Sequence, residues 1–212
     1  MLVPSMSLLE IKKSVYNDYK PEIKNKVESI KTAYKAKWIR NGRKDFAETV
    51  AFPVKSRNNW RITIICNKNN VTTIPYLISQ DKFGVTASYL LTDFPEMQLM
   101  HFNSHFFKRF RERGKIDMDK PDQVIKLFFR KNLSLIPCYS PREDGTQQLF
   151  VPVHGGVGLG NYHPDTQICE FKTFVDNSLL GQNQIDAVTQ IWTDTMNELM
   201  AEIQRRIDRR VS

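Results

Sequence analysis

The chain has 212 residues, 41% of them hydrophobic and 11% aromatic, which is enough for a sizeable core in one large domain or two small ones. The formal net charge is +8, which favours a polyanionic partner such as RNA, DNA or an acidic protein. Three scattered cysteines without CxxC spacing exclude a zinc knuckle or a disulfide frame; no apolar run of about 18 residues and no leader pattern occur, so a cytoplasmic protein without a membrane span is expected.

Residues 5–39 read as helix. Ser5 or Ser7 can cap it, and Glu10, three after Ser7, completes a capping-box pattern. Leu8, Ile11, Val15 and Tyr19 share a face. Pro21 is expected to end this helix and to open a second one. Ile23, Val27, Ile30 and Tyr34 then form a narrow apolar seam. That seam suits docking on the chain's own sheet. It equally suits an inhibitory protein partner or self-association through the N-terminal helices.

Asn41-Gly42 breaks the helix, and the pattern turns to strands. Thr49 to Val54 is followed by Trp60, Ile62, Ile64 and Cys66 alternating with Arg61 and Thr63. Asn67 to Asn70 is a turn. Val71 to Ile78 is a strand in which Pro75 argues for an edge or a bulge. A turn at Asp81–Gly84 leads to a strand over Val85 to Leu91, and a short strand is predicted at Met97 to Met100. Tight polar turns make this an antiparallel meander.

The stretch HFNSHFFKRFRERGK follows. Ser104 or Asn103 can cap a helix and Gly114 can stop it. Phe102, Phe106 and Phe110, with Phe107 beside them, form an apolar stripe expected in the core. His105, Arg109 and Arg113 form a second stripe. Such a face suits phosphate chemistry: histidine can move a proton near neutral pH, and arginine can hold a phosphate by two parallel hydrogen bonds. The plainer alternative is a solvated helix face on which Glu112 pairs with Lys108.

A second helix is capped by Asp119 or Asp122, with Pro121 in its first turn and Val124, Ile125, Phe128 and Phe129 on its apolar face. An exposed loop at Ser140–Gly145 precedes three strands, Gln148 to Val153, Gly156 to Tyr162 and Gln167 to Val175. A final helix over 183–210 directs Ile185, Val188, Ile191, Trp192, Thr195, Leu199 and Ile203 to the core and ends in the basic tail QRRIDRR. With no repeat or linker, residues 1–212 read as one α+β domain. A helical arm covers 1–40, a sheet with central helices covers 45–180, and a C-terminal helix covers 183–212.

Two motifs lose their sharper readings. HGGVGLGNYH (154–163) has a GxGxxG-like look, but no helix opens at the glycines and no acidic residue ends a following strand, so no cofactor is expected. Those glycines suit a bulge or a close backbone approach. His101 and His105 have metal-compatible spacing, but HFNSH lacks the glutamate of HExxH and no third ligand is identifiable, so no metal is expected.

SHFFKRFRERG followed by KPDQVIKLFFRKN, with the later EFKTFVD, resembles the RelE/barnase/EndoU-like bacterial toxin ribonucleases and related bacterial and phage domains. The resemblance covers about residues 101–180 and rests on His105, Arg109, Arg113, Gly114 and Thr173. It implies metal-independent RNA cleavage, in which the 2′-hydroxyl attacks the adjacent phosphorus. His105 would then be base or acid with His154 or His163 as its complement, Arg109 and Arg113 would hold the phosphate, and Tyr162 and Thr173 would be secondary candidates. It also implies a pocket shared by the central helix and the glycine-rich strand pair. A non-catalytic nucleic-acid-binding module would use the same basic surface, Lys108, Arg109, Arg111, Arg113 and Lys115, with aromatic stacking. A protein-interaction module would use the N-terminal helices.

Overall fold

The computed structural model describes residues 1–67, 70–92, 97–141 and 147–211. The turn at Lys68-Asn69, the loop at Arg142–Gly145 and most side chains of the basic tail therefore lie outside the described residues.

The chain folds as α+β, with helices on a mostly antiparallel open sheet that has nine strands among the described residues. Five strands form the first meander: β1 (Phe46–Pro53), β2 (Asn59–Asn67), β3 (Asn70–Asp81), β4 (Gly84–Leu91) and β5 (Gln98–Phe102). Two helices follow, α3 (Ser104–Arg113) and α4 (Pro121–Lys131), numbered after the N-terminal pair α1 (Leu8–Asp18) and α2 (Lys24–Arg40). They carry the chain to a second meander, β6 (Cys138–Pro141), β7 (Gln147–Val153), β8 (Gly156–His163) and β9 (Ile168–Asp176), and then to α5 (Gln182–Val211). Strand order is β1-β2-β3-β4-β5-β9-β8-β7-β6. All neighbours run antiparallel except β5 and β9, which pair in parallel from Leu99↔Ile168 to Phe102↔Phe171.

Alternation decides which residues meet which helices. Trp60, Ile62, Ile64, Leu77, Leu90, Leu99 and Ile168 point to one face, where Val15, Ile23, Val27, Ile30 and Trp38 cover them. Ile23, Val27 and Ile30 of the N-terminal seam are thus buried on the chain's own sheet, with Tyr34 partly buried beside them. Ser7 and Glu10 form the capping box. Pro21 does not split the helix. A π-turn at Tyr19–Ile23 carries α1 into α2, with Lys24 N–H reaching back to the Tyr19 carbonyl. The wider turn absorbs the hydrogen bond that proline cannot donate. Buried Asp18 pins this helix to the sheet: its Oδ2 accepts from Asn58 Nδ2 (2.7 Å), Trp60 Nε1 (2.9 Å) and Ser56 Oγ (2.9 Å). Pro75 lies in an interior strand, but it sits where the β3–β4 ladder begins at Tyr76, so its missing N–H falls beside the end of that ladder.

The opposite face carries α3 and α4. Phe106, Phe107 and Phe110 of α3 and Val124, Ile125, Phe128 and Phe129 of α4 are buried there with Phe102, Phe171 and Phe174. Phe102 closes β5 rather than opening the helix, and its ring lies 5.0 Å from that of Phe106 and 4.8 Å from that of Phe171. Asn103 is the helix cap, its side chain accepting from Phe106 N–H; α4 has Pro121 at its first position and no side-chain cap, so neither Asp119 nor Asp122 fills that role. In β9 the register slips: Leu159 pairs with Thr173 but Gly160 pairs with Phe171. The extra residue, Lys172, re-phases the strand and lets both Phe171 and Phe174 face α3.

α5 lies on the second meander through Val188 and Ile191, which meet Cys138, Phe150 and Val157. Its other expected core residues are at most half-buried, and Trp192 is 37% exposed. The reason is reach. A helix of 30 residues is about 45 Å long, while the eight-residue strand β8 beneath it covers only about 27 Å. Among the described residues, no helix is long and apolar enough to cross a membrane.

Candidate functional site

A groove of about 790 Å³ opens where the ends of β3, β4, β5 and β9 meet the start of α3 and the N-terminal segment. Its polar lining includes His101, Asn103, Ser104, His105, Lys108, Arg111, Asp81, Glu170 and Lys172. Leu2, Leu8, Phe83 and Phe107 supply apolar wall.

Each element delivers its residues for a local reason. The β3–β4 turn is built on Asp81, whose Oδ1 accepts from the backbone N–H of Phe83 (2.7 Å) and Gly84 (2.9 Å). Gly84 has φ +142, and a Cβ there would stand 3.2 Å from Ser104 Cβ. Glycine therefore lets the turn close against α3. The same turn leaves Phe83 77% exposed at the rim, with Lys82 Nζ 4.8 Å from its ring centroid. On α3, Ser104, Phe107, Lys108 and Arg111 follow the i, i+3, i+4, i+7 rule and share the side that faces the groove.

The parallel β5–β9 pair makes the floor. His101 and Glu170 are register partners on the same sheet face. His101 is 5% exposed, and its Nδ1 lies 3.0 Å from Ser88 Oγ. Glu170 Oε2 lies 3.3 Å from Lys172 Nζ and 3.5 Å from His163 Nε2. The latter is an ion-pair distance without hydrogen-bond geometry, since His163 Nε2 has no hydrogen-bond partner. Burial lowers the His101 pKa to about 4, against a smaller raising effect from Glu170 and Asp81.

That depression has a sign. An unfolded histidine binds a proton near pH 6.5, whereas folded His101 refuses it until about pH 4. Stability is therefore expected to be complete above about pH 6.5 and to fall as pH drops through about 4. Urea denaturation of wild type and His101→Gln at pH 7 and pH 5 measures this. Equal pH responses in the two proteins would mean that another group controls acid stability.

The sequence-expected residues divide. His105, Lys108 and Arg111 line the groove; among the described lining residues Arg109, Arg113, Lys115, His154 and His163 are absent. Arg109 lies along its own helix, with Nε donating to His105 Nε2 (3.4 Å) and NH1 3.1 Å from Glu112 Oε2. Glu112 thus pairs with Arg109 rather than Lys108. Arg113 donates to the Phe174 carbonyl and acts as a strap between α3 and β9. Lys115, at φ 49, follows the helix end. His154 sits on the β7–β8 turn with Nε2 3.3 Å from Lys131 Nζ. His163 ends the same strand that His154 precedes, so roughly 25–30 Å of extended chain separates them.

The pocket expected between the central helix and the glycine-rich strands is filled instead. Phe110 and Phe174 lie 5.3 Å apart there, and a Cβ at Gly158 would stand 3.0 Å from Phe106 Cε2. The helix turns its aromatic side to those strands, so its polar side faces elsewhere. Tyr162 Oη donates to Gln167 Oε1 (2.7 Å), and Thr173 is absent from the described groove lining.

Sequence reasoning missed His101 as part of this site, together with Asp81, Glu170 and Lys172. Alternation in EFK places Glu170 and Lys172 two apart, a usable signal. The partner strand that brings His101 beside them is not readable locally. The three described cysteines are buried and their thiols are pushed up by burial, Cys169 to about 12, which leaves them poor nucleophiles. Among the described residues, no three His, Cys, Asp or Glu side chains converge as metal ligands would. No family model, no curated protein and no solved structure matches the chain significantly.

Proposed function

We propose that the protein binds single-stranded nucleic acid in this groove. The observation that carries the reading is the rim: exposed Phe83 beside Lys82, Lys108 and Arg111 from α3, and His105. Bases stack on an aromatic face while cations track the phosphates. The groove's carboxylates are occupied, Glu170 by Lys172 and Asp81 by two backbone N–H groups. Among the described residues, Lys108 and Arg111 have no carboxylate partner, which leaves both cations for a ligand.

Fluorescence anisotropy with a labelled single-stranded RNA of about 12 nucleotides, between 50 and 200 mM salt, tests the reading. Affinity is expected to fall steeply with salt. Lys108→Ala and Arg111→Ala should each reduce the slope by about one. Phe83→Ala should weaken binding by about 1–3 kcal/mol. Affinity that ignores salt, or Phe83→Ala binding as wild type does, would sink it.

A second reading is metal-independent RNA cleavage of the toxin type. His101 and His105 lining one groove favour it, because cleavage needs two proton-transfer groups near one phosphate. Loss of a mixed RNA pool between pH 5 and 9 in the presence of a chelator, abolished by His105→Ala, supports this reading, and an intact pool removes it.

A further inference from the structure

Positive charge is unevenly placed along the chain. Residues 1–44 hold eleven lysines and arginines against four carboxylates, a net of +7, while residues 45–212 hold twenty against nineteen, a net of +1. Nearly all of the +8 therefore sits on α1, α2 and the turn after them.

α2 concentrates this charge. Between Lys24 and Arg40, Glu28 is the only carboxylate. Val27, Ile30 and Trp38 are buried on the sheet. Lys26 and Lys37 lie on the flank towards β1, where Lys26 Nζ stands 5.4 Å from the Phe52 ring centroid and Lys37 Nζ 3.1 Å from Glu48 Oε2. Lys24, Lys31 and Lys35 occupy the other flank. Steps of seven and four keep them within about 40° of one another, over about 17 Å of helix. All three are exposed, and among the described residues neither they nor Glu28 are in an ion pair.

We propose that this flank of α2 is a second phosphate-binding track, which holds the backbone of a nucleic acid too long for the groove alone. This inference rests on the nucleic-acid reading of the groove.

One helix links the two surfaces. α1 begins at the groove, where Leu8 and Ile11 form part of the wall, and the π-turn carries it without a break into α2. From Leu8 to Arg40 the helix is about 50 Å long. Exposed Lys13 and Lys20 stand between the groove and Lys24. A strand rising about 3.4 Å per nucleotide covers that length in roughly 15 nucleotides. Phosphate suits the flank's chemistry. Lysine is a point charge that meets phosphate without a set orientation. Three like charges aligned on one flank repel one another, and a polyanion relieves them while releasing its own counterions. A membrane surface would instead need an apolar helix face to insert. α2 has turned that face to the sheet, and Ile39 is its only large apolar residue left exposed.

The test uses the full chain and single-stranded RNAs of about 8 and about 24 nucleotides, each titrated between 50 and 200 mM salt. The longer RNA is expected to show a log–log salt slope steeper by about two, the value for three further phosphate contacts on a single strand. The triple variant Lys24→Gln, Lys31→Gln, Lys35→Gln should remove that difference and weaken the longer RNA at least about ten-fold at 50 mM salt, leaving the shorter RNA bound as before. Equal wild-type slopes for the two lengths overturn the track and leave the groove reading standing. A triple variant that binds the longer RNA as wild type does, or that loses both RNAs equally, also overturns it. Wild type that binds vesicles of phosphatidylserine and phosphatidylcholine but shows no length dependence with RNA overturns it in favour of a membrane surface. If neither RNA binds to wild type, the groove reading itself fails. Should the triple variant not fold, the two wild-type slopes decide the question alone.

Discussion

Phe106→Ala is expected to lower the free energy of unfolding by about 3–5 kcal/mol, the range for truncating a fully buried aromatic. Phe106 has no exposed surface and its ring lies 5.0 Å from Phe102, 5.3 Å from Phe107 and 5.4 Å from Phe128. Its neighbours belong to β5, α3, α4 and β9, and the Gly158 backbone closes on it from β8, so the surroundings have little freedom to collapse into the void. The rings also meet mostly edge to face, an arrangement that adds to simple burial. Guanidinium denaturation of the variant measures the loss. A change under about 1 kcal/mol would mean that the site relaxes and that the aromatic cluster is not the main core.

Gly160→Ala is expected to be at least as damaging, at or beyond the roughly 1–3 kcal/mol of ordinary overpacking. A Cβ at Gly160 would lie 1.9 Å from the Glu170 carbonyl oxygen. That atom is backbone in the neighbouring strand, and it cannot swing aside as a side chain can. Gly160 sits at the register slip, where β9 carries one residue more than β8. Forcing the strands apart there also displaces Glu170 and Lys172 from the groove. The variant should therefore lose stability and RNA affinity together, whereas Gly155→Ala, with open space around its Cβ, should leave RNA affinity intact despite its backbone strain at φ +83. A Gly160→Ala protein with wild-type stability would refute the close-approach account of the glycine-rich stretch.

Much of the architecture was readable because it rests on local rules. Trp60, Ile62, Ile64 and Cys66 alternate, and all four are buried on one face. Ser7 and Glu10 announced a helix start, and the glycines of 154–163 announced a close approach rather than a cofactor loop. Pro21 is not legible in the same way, because a π-turn, which has no local sequence signature, accommodates its missing N–H. The site was harder. Steps of four residues advance around a helix by about 40° each, so His105, Arg109 and Arg113 share a side, but one centred well away from the groove, which only its His105 edge reaches. The groove takes the Ser104, Phe107, Lys108 and Arg111 side instead. Its floor depends on β5 pairing with β9 in parallel, and a two-residue period does not say which strand will lie alongside.

The parallel seam also sets when the site can come into being. Each meander closes through hairpins between neighbours in sequence, which form early and cheaply. The seam joins residues such as Gln98 and Gln167, 69 positions apart, after both halves exist. Its loop-closure entropy must be met before any of its contacts reward it. His101 and Glu170 stand on opposite sides of that seam. Ligand affinity should therefore appear in refolding only with the last, slow kinetic phase, after most of the far-ultraviolet signal has returned. A ligand that bridges the two halves would, by mass action, hold the seam shut and slow its opening in amide exchange.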